Sequence, residues 1–201
     1  MLLKREFYER DPLVVAKELL GKTLAHETAQ GITSGMIVET EAYLGPEDKA
    51  SHAFENRRTK RTETQFGPKG HAYVYLIYGM YYCFNVISGE IPGKPEAVFF
   101  RALQPLEGVE LMIKRRPTAK GKLECLANGP SRLSMAMCIT KRQNGADVTV
   151  PPFYIKDNGV NIIERDIVEA KRIGVDYSDE WKHKPWRFYI KDNPFVSVRA
   201  T

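Results

Sequence analysis

Cysteine is scarce in this chain: three in 201 residues, at positions 83, 125 and 138. An odd number at wide spacing builds neither a disulfide framework nor a paired-thiol zinc site. It points to a reducing, intracellular setting, cytoplasm or nucleoid if the source is bacterial. Histidine is nearly as rare, with four, and no H-E-x-x-H occurs. G-x-S-x-G and G-x-G-x-x-G are also missing, and "GEIPGKP" is too short for a phosphate loop and sets Pro95 directly after its lysine. No metal and no other cofactor is therefore expected. The opening "MLLKREFYERDP" has no apolar core and carries acids early, which speaks against a secretory or transit signal.

Charge is absent from one place in particular. Residues 72–88, "AYVYLIYGMYYCFNVIS", carry none, in a chain where 27% of residues are charged, and they hold five of its ten tyrosines. A membrane span needs about 20 predominantly apolar residues. This run is shorter and contains Gly79 and Asn85, so no membrane association is expected. Two β-rich runs around Gly79-Met80 predict a hairpin closed by a two-residue type II′ turn. Alternation sends Tyr73, Tyr75 and Ile77 one way and Val74, Leu76 and Tyr78 the other; Tyr81, Cys83, Asn85 and Ile87 share a face of the return strand. A core hairpin accounts for Val74, Leu76, Phe84 and Val86. It accounts poorly for Tyr78, Tyr81 and Tyr82, whose hydroxyls need partners when buried. An ordinary core hairpin and one whose rings meet a ligand both remain open.

What the chain does have is a normal hydrophobic share, 43%, and a formal charge of +5 with a pI near 9.0. That is enough to bury a full core, and it suits a polyanionic partner without requiring one. Asp11-Pro12 reads as a helix start and Gly21 as its stop. Residues 35–43 read as a strand, and residues 46–71 as a long polar loop of the kind that tends to be functional. "EAVFFRAL" is another strand. Pro105 is expected to open a helix reaching about Lys114, followed by the flexible basic stretch "KRRPTAKGK". Ser131 is placed as the cap of a helix over "RLSMAMCI". Residues 153–165 and 187–198 read as short strands around a helix near "DIVEAKRIG". With no repeat and no linker, the expectation is one α+β domain over residues 1–201, built on a mainly antiparallel sheet.

Strand alternation places Glu39, Glu41 and Tyr43 on one face, about 6.6 Å apart in succession. Arg101 interrupts an apolar run and is the obvious partner for a carboxylate there. The plain alternatives are a solvated acidic face and an outward-facing arginine. Basic residues flank the hairpin: Arg57, Arg58, Lys60 and Arg61 before it, Lys114, Arg115, Arg116, Lys120 and Lys122 after it. Such runs are commonly solvated loops. Interleaved with aromatics, they also supply what nucleic acid needs, charges for phosphates and rings for bases. A binding module without chemistry would use the same aromatics and basic loops, but would have no use for Glu41. A glycoside hydrolase would need two carboxylates flanking the sugar, whereas Glu39 and Glu41 approach from one side.

The succession "VETEAYLGPEDKASH", "YVYLIYGMYYCFN", "FFRALQPLEG", "GPSRL" and "PWRFYIKDNPFVSV" resembles the alkyladenine (3-methyladenine) DNA glycosylase family, in order and across essentially the whole chain. The resemblance implies a monofunctional glycosylase that extrudes a damaged purine from double-stranded DNA and hydrolyses its N-glycosidic bond, acting as a monomer. It implies one α+β domain around a curved antiparallel sheet, with flanking helices and a protruding hairpin. By motif position, Glu41 matches the acid that activates water. Arg101 and the main-chain carbonyl of Val196 match the groups that help hold that water. Tyr43, His52 and Tyr75 match the rings that sandwich the base, and Asn85 the residue that disfavours guanine's exocyclic amine. Tyr78 matches the residue that fills the gap in the duplex. Thr59, Arg61, Tyr81, Ser131 and Arg132 match further DNA contacts. The chain departs from the family in "NRRTKRTETQFGPKG", where Gln65 stands at the place of a bulkier apolar wedge.

Overall fold

The structure, a computed structural model, describes residues 1–200. Two short helices open the chain, α1 (Arg5–Tyr8) and α2 (Pro12–Glu18). The Asp11 carboxylate accepts from the Leu13 N–H at 2.7 Å, and Pro12 occupies the first helical position, so the sequence signal for this helix start holds. Eight strands follow: β1 (Thr23–Thr28), β2 (Gly31–Tyr43), β3 (Ala72–Ile77), β4 (Tyr81–Ile87), β5 (Ala97–Glu107), β6 (Phe153–Lys156), β7 (Ile167–Ala170) and β8 (Arg187–Ile190). Helices α3 (Val109–Arg115) and α4 (Pro130–Ala136) lie between β5 and β6.

The strands form one antiparallel sheet in the order β3-β4-β5-β2-β1-β6, with β8 pairing β2 and β7 pairing β8. The sheet is a strongly curled half-barrel. Long β2 is its spine. Register shifts around Ile37, Glu39 and Thr40 mark bulges against β5, and a bulge bends the strand that carries it. Val38, Thr40 and Ala42 are fully buried on the core side, where the Thr40 hydroxyl donates to the Ala16 carbonyl of α2 at 2.8 Å. Phe84 and Phe100 stack at 4.5 Å in the same core. Alternation therefore frees Glu39, Glu41 and Tyr43 for the opposite face.

Several local expectations fail, each for a physical reason. The strand containing Pro105 continues to Glu107, because Pro105 sits opposite Gly35 beside a bulge, one of the places where a sheet tolerates proline. Helix α3 starts only after Gly108, at φ 69°. Ser131 is not a cap: Gly129 takes that position, Pro130 opens α4, and Ser131 falls in the first turn. The "DIVEAKRIG" segment contains a strand, since Ile167–Ala170 pairs with Arg187–Ile190 and this pairing overrides helical spacing. Strand structure in 153–165 ends at Lys156, and in 187–198 at Ile190. The basic stretch is tied down, with Arg115 Nη1 donating to the Ala136 carbonyl at 3.0 Å and Arg116 buried. Leu76 is exposed rather than core.

The hairpin forms, but its turn differs. Ile77 pairs with Tyr81, and the Met80 N–H donates to the Ile77 carbonyl at 3.2 Å. The central residues are Tyr78 and Gly79, at φ 54° and 70°, so the turn is of the I′ kind and Met80 is an extra residue. Tyr78 belongs to the turn itself. A bulky residue at positive φ is an outlier, and Tyr78 is 82% exposed.

Candidate active site

On the non-core face of β2, Glu39, Glu41 and Arg101 form one buried charge network, completed by Arg187 from β8. Both glutamates are fully buried, and the two arginines are 5% and 4% exposed. Burying such charges is tolerable only when they are paired and hydrogen-bonded. Glu39 Oε1 accepts from Arg101 Nε and Arg187 Nη1, both at 3.0 Å, and its Oε2 accepts from the Ser197 N–H at 2.7 Å. Glu41 Oε1 lies 3.1 Å from Arg101 Nη1 and accepts from the Ile173 N–H at 2.9 Å. Its Oε2 accepts from the Tyr43 hydroxyl at 2.9 Å. The plain alternatives, a solvated acidic face and an outward arginine, are thereby excluded.

Beside this network opens a cleft of about 370 Å³, within the range of small-molecule sites. Arg101, Tyr43 and Ile173 line it, and all three meet Glu41, Tyr43 and Ile173 through hydrogen bonds and Arg101 as an ion pair, so the Glu41 carboxylate stands one residue behind the wall. Glu39 is further removed: of its partners only Arg101 lines the cleft. The hairpin supplies Tyr73, Tyr75, Cys83 and Asn85 on one face, and Tyr78 at its tip. The 46–71 loop supplies His52, Arg61 and Gln65; α4 supplies Pro130 and Ser131. No lysine is among the lining residues.

The electrostatics follow from burial and neighbours. Burial works against the Arg101 charge, but the Glu41 and Glu39 carboxylates outweigh it and raise the guanidinium's pKa. Burial, then the Glu41 carboxylate, pushes the Tyr43 phenol well above its ordinary value, so it remains a donor to Glu41. Burial, with help from Arg61, lowers the His52 pKa to about 4, so its imidazole is neutral. Arg61 Nη2 lies 3.3 Å from His52 Nε2, and a guanidinium can only donate. That leaves Nδ1–H to donate to the Tyr73 hydroxyl at 3.0 Å. His52 stands edge-on to Tyr75, 4.6 Å between centroids, and Arg61 lies 5.0 Å from the centre of the Tyr75 ring. Asn85 is 5% exposed; its amide nitrogen donates to the Tyr73 carbonyl at 3.1 Å.

The residues singled out from sequence are thus brought together, with exceptions. Tyr43, His52, Tyr75, Asn85 and Arg101 line the cleft, and Tyr78 stands at its mouth. Arg61 and Ser131 line it too, rather than an outer surface. Tyr81 and Arg132 lie outside, Arg132 bonded to Asn128 Oδ1 at 2.8 Å, and Thr59 is engaged in a local turn with Thr62. Gln65 is 3% exposed and lines the cleft, rather than protruding as a wedge. Val196 does not line the cleft, and the residue after it offers its N–H, that of Ser197, to Glu39. The main-chain group that reaches Glu41 is that of Ile173. Sequence reasoning missed it because a backbone N–H has no residue signature; the one local hint is Gly174, at φ 78°, which turns the chain there.

Comparison with known proteins locates the chain. A family model described as methylpurine-DNA glycosylase matches residues 6–194. A Clostridium acetobutylicum protein named "Putative 3-methyladenine DNA glycosylase" is 52% identical over 98% of both chains. Proteins of the same name are 46% identical in Desulfitobacterium hafniense, over 98% of both chains, and 48% identical in Clostridium perfringens strain SM101, over 99% of this chain and all of the relative.

Proposed function

The chain belongs to the methylpurine-DNA glycosylase family and is a DNA glycosylase of base excision repair, and from that premise we propose how its residues do the chemistry. One glycosylase domain, acting as a monomer on damaged purines in double-stranded DNA, takes the base into the 370 Å³ cleft. A base inside a duplex is out of reach, so it must be extruded. Tyr78, held outward on its I′ turn, enters the gap and offsets part of the few kcal/mol that unstacking costs. Tyr43, His52 and Tyr75 hold the base by stacking, at roughly 1–3 kcal/mol per aromatic contact. Asn85 screens the base edge and disfavours guanine's exocyclic amine.

Rupture of the N-glycosidic bond builds positive charge on the sugar. The Glu41 carboxylate stabilises that charge and takes a proton from the attacking water. Its hydrogen bonds decide where the water sits. Each carboxylate oxygen has two lone pairs. Oε1 accepts from the Ile173 N–H and faces the Arg101 guanidinium; Oε2 spends one, on Tyr43, and keeps one for water. Arg101 pairs with the carboxylate at 3.1 Å and holds it in place. With no lysine in the lining, the nucleophile is water and no Schiff base forms.

The observation that carries this reading is Glu41, fully buried yet bonded to three groups that line one aromatic cleft. The test is base release from duplexes carrying 3-methyladenine, 7-methylguanine, hypoxanthine or ethenoadenine. Free base from at least one, with the strand left intact, is expected. Tight lesion binding without release from any would make the protein a binding module.

A further inference from the structure

A second cavity, of about 420 Å³, lies on the other side of the first turn of α4. Pro130 and Ser131 line the catalytic cleft, while the next residue, Arg132, lines this one together with Arg116, Lys120, Lys122 and Cys125. Four of these side chains are cationic. None of the four forms an ion pair with a carboxylate among the described residues.

Arg116 is the unusual member. It is 8% exposed, so it has given up most of its hydration. Its Nη2 donates to the Cys125 carbonyl at 3.1 Å, its Nη1 has only the Met135 sulfur at 4.0 Å, and its Nε has no partner. Every other guanidinium buried to this degree, at Arg101, Arg172 and Arg187, has a carboxylate within 3.1 Å. Burial and the neighbouring Arg132 cation lower the Arg116 pKa, the opposite of what an internal counterion would do. A buried cation without an anion costs several kcal/mol. The protein keeps this one at a cavity wall, beside other cations and one residue from the cleft that takes the base.

The geometry points to an anion site centred on Arg116, filled by a single backbone phosphate of the DNA that carries the lesion. A phosphodiester supplies the acceptor oxygens that Nη1 lacks and the charge that the cluster lacks. Lys120, Lys122 and Arg132 close around the same phosphate. Fixing one phosphate beside α4 sets the register of the duplex on the protein, so that the lesion, not its neighbour, faces the cleft. This rests on the glycosylase reading for the identity of the polyanion.

The experiment measures equilibrium binding to a lesion duplex in which one phosphate at a time is replaced by a neutral methylphosphonate, for wild type and for Arg116→Met. One position is expected to weaken wild-type binding by roughly tenfold or more, the scale of a hydrogen bond to a charged group, and to cost Arg116→Met nothing further. The salt dependence of log Kd in that variant should fall by about one phosphate's worth, a slope of about 0.9. Thermal melts verify that the variant folds; if it does not, Arg132→Gln, at an exposed position, carries the same cycle. If every methylphosphonate costs variant and wild type alike, the assignment is wrong. It is equally wrong if inorganic phosphate alone gives a saturable rise in melting temperature that Arg116→Met abolishes while no methylphosphonate position couples; the cavity would then serve a free anion. Binding with this coupling but no base release would sink the glycosylase reading and leave the phosphate site standing. Base release without coupling would do the reverse.

Discussion

Replacing Glu39 by glutamine is expected to cost the fold about 3–5 kcal/mol, although the side chain keeps its shape. Glu39 is fully buried and accepts at 3.0 Å from two guanidiniums, Arg101 and Arg187, that are themselves almost wholly buried. The network holds two carboxylates and two guanidiniums, so it is neutral as built. Without the Glu39 charge, Arg101 retains Glu41, while Arg187 retains only the carbonyls of Lys171 and Val198, each at 2.8 Å. One buried cation is left without an anion, and breaking such a pair from one side costs about 3–5 kcal/mol. At about 2–4 °C per kcal/mol for a chain of this size, the melting temperature should fall by roughly 6–20 °C. Excision should fall as well, because the bond that fixes Arg101 Nε loses its charge assistance while Nη1 meets Glu41. The assay is urea unfolding followed by far-UV circular dichroism, with Glu63→Gln as the comparison. Glu63 pairs with Arg58 on the surface, both side chains more than half exposed, and its loss should be within experimental error. A loss of less than about 1 kcal/mol in Glu39→Gln would refute the network as drawn, since a buried pair in this geometry is expected to lose several times that.

Three further outcomes are expected. Tyr78→Gly should melt no lower than wild type, because it removes a left-handed backbone penalty of about 1–2 kcal/mol and an exposed ring; yet it should excise far more poorly from duplex than from single strands, which need no gap filled, and equal losses on both would end the gap-filling role. Asn85→Ser should raise release of guanine-type relative to adenine-type bases, and an unchanged ratio would remove Asn85 from recognition. His52, with its folded-state pKa lowered to about 4, adds stability that is present above the unfolded value near 6.5 and is lost as pH falls toward 4. The melting temperature of His52→Gln should therefore depend less on pH across that window, and the wild-type excision profile should show no histidine limb near 6.5.

How much of this was legible in the sequence depends on what carried each feature. Alternation along β2 correctly put Glu39, Glu41 and Tyr43 on one face, because a period of two survives even the bulges near Glu39. The hairpin was legible from its β-rich runs, but its turn was not. Gly79 signals a turn, and only the fold shows that Tyr78 accepts a positive φ beside it. Pro105 and the "DIVEAK" segment misled for a shared reason: pairing with a distant strand overrode a local preference. At the site, side chains were found and main-chain groups were not. Ile173 reaches Glu41 from 132 residues away through a backbone N–H, and Val196 was offered for a comparable main-chain role on motif position alone. Arg116 sat unnoticed in a basic run, since neither its burial nor its missing counterion can be seen in a string of letters.

The central claim, that Glu41 works as the general base behind an aromatic cleft, is tested most directly by one pair of measurements on Glu41→Gln: single-turnover base release and equilibrium binding to a lesion duplex. Glutamine keeps the shape and an acceptor for Arg101 and the Ile173 N–H, with its amide donating towards Tyr43 in place of Oε2, but loses the charge and the basicity. Base release should drop by about 10²-fold or more, the usual scale for removing a general base, while binding persists, because stacking and phosphate contacts lie on other residues. Release at near wild-type rate, or loss of binding and release together in a protein that still folds, would contradict the account.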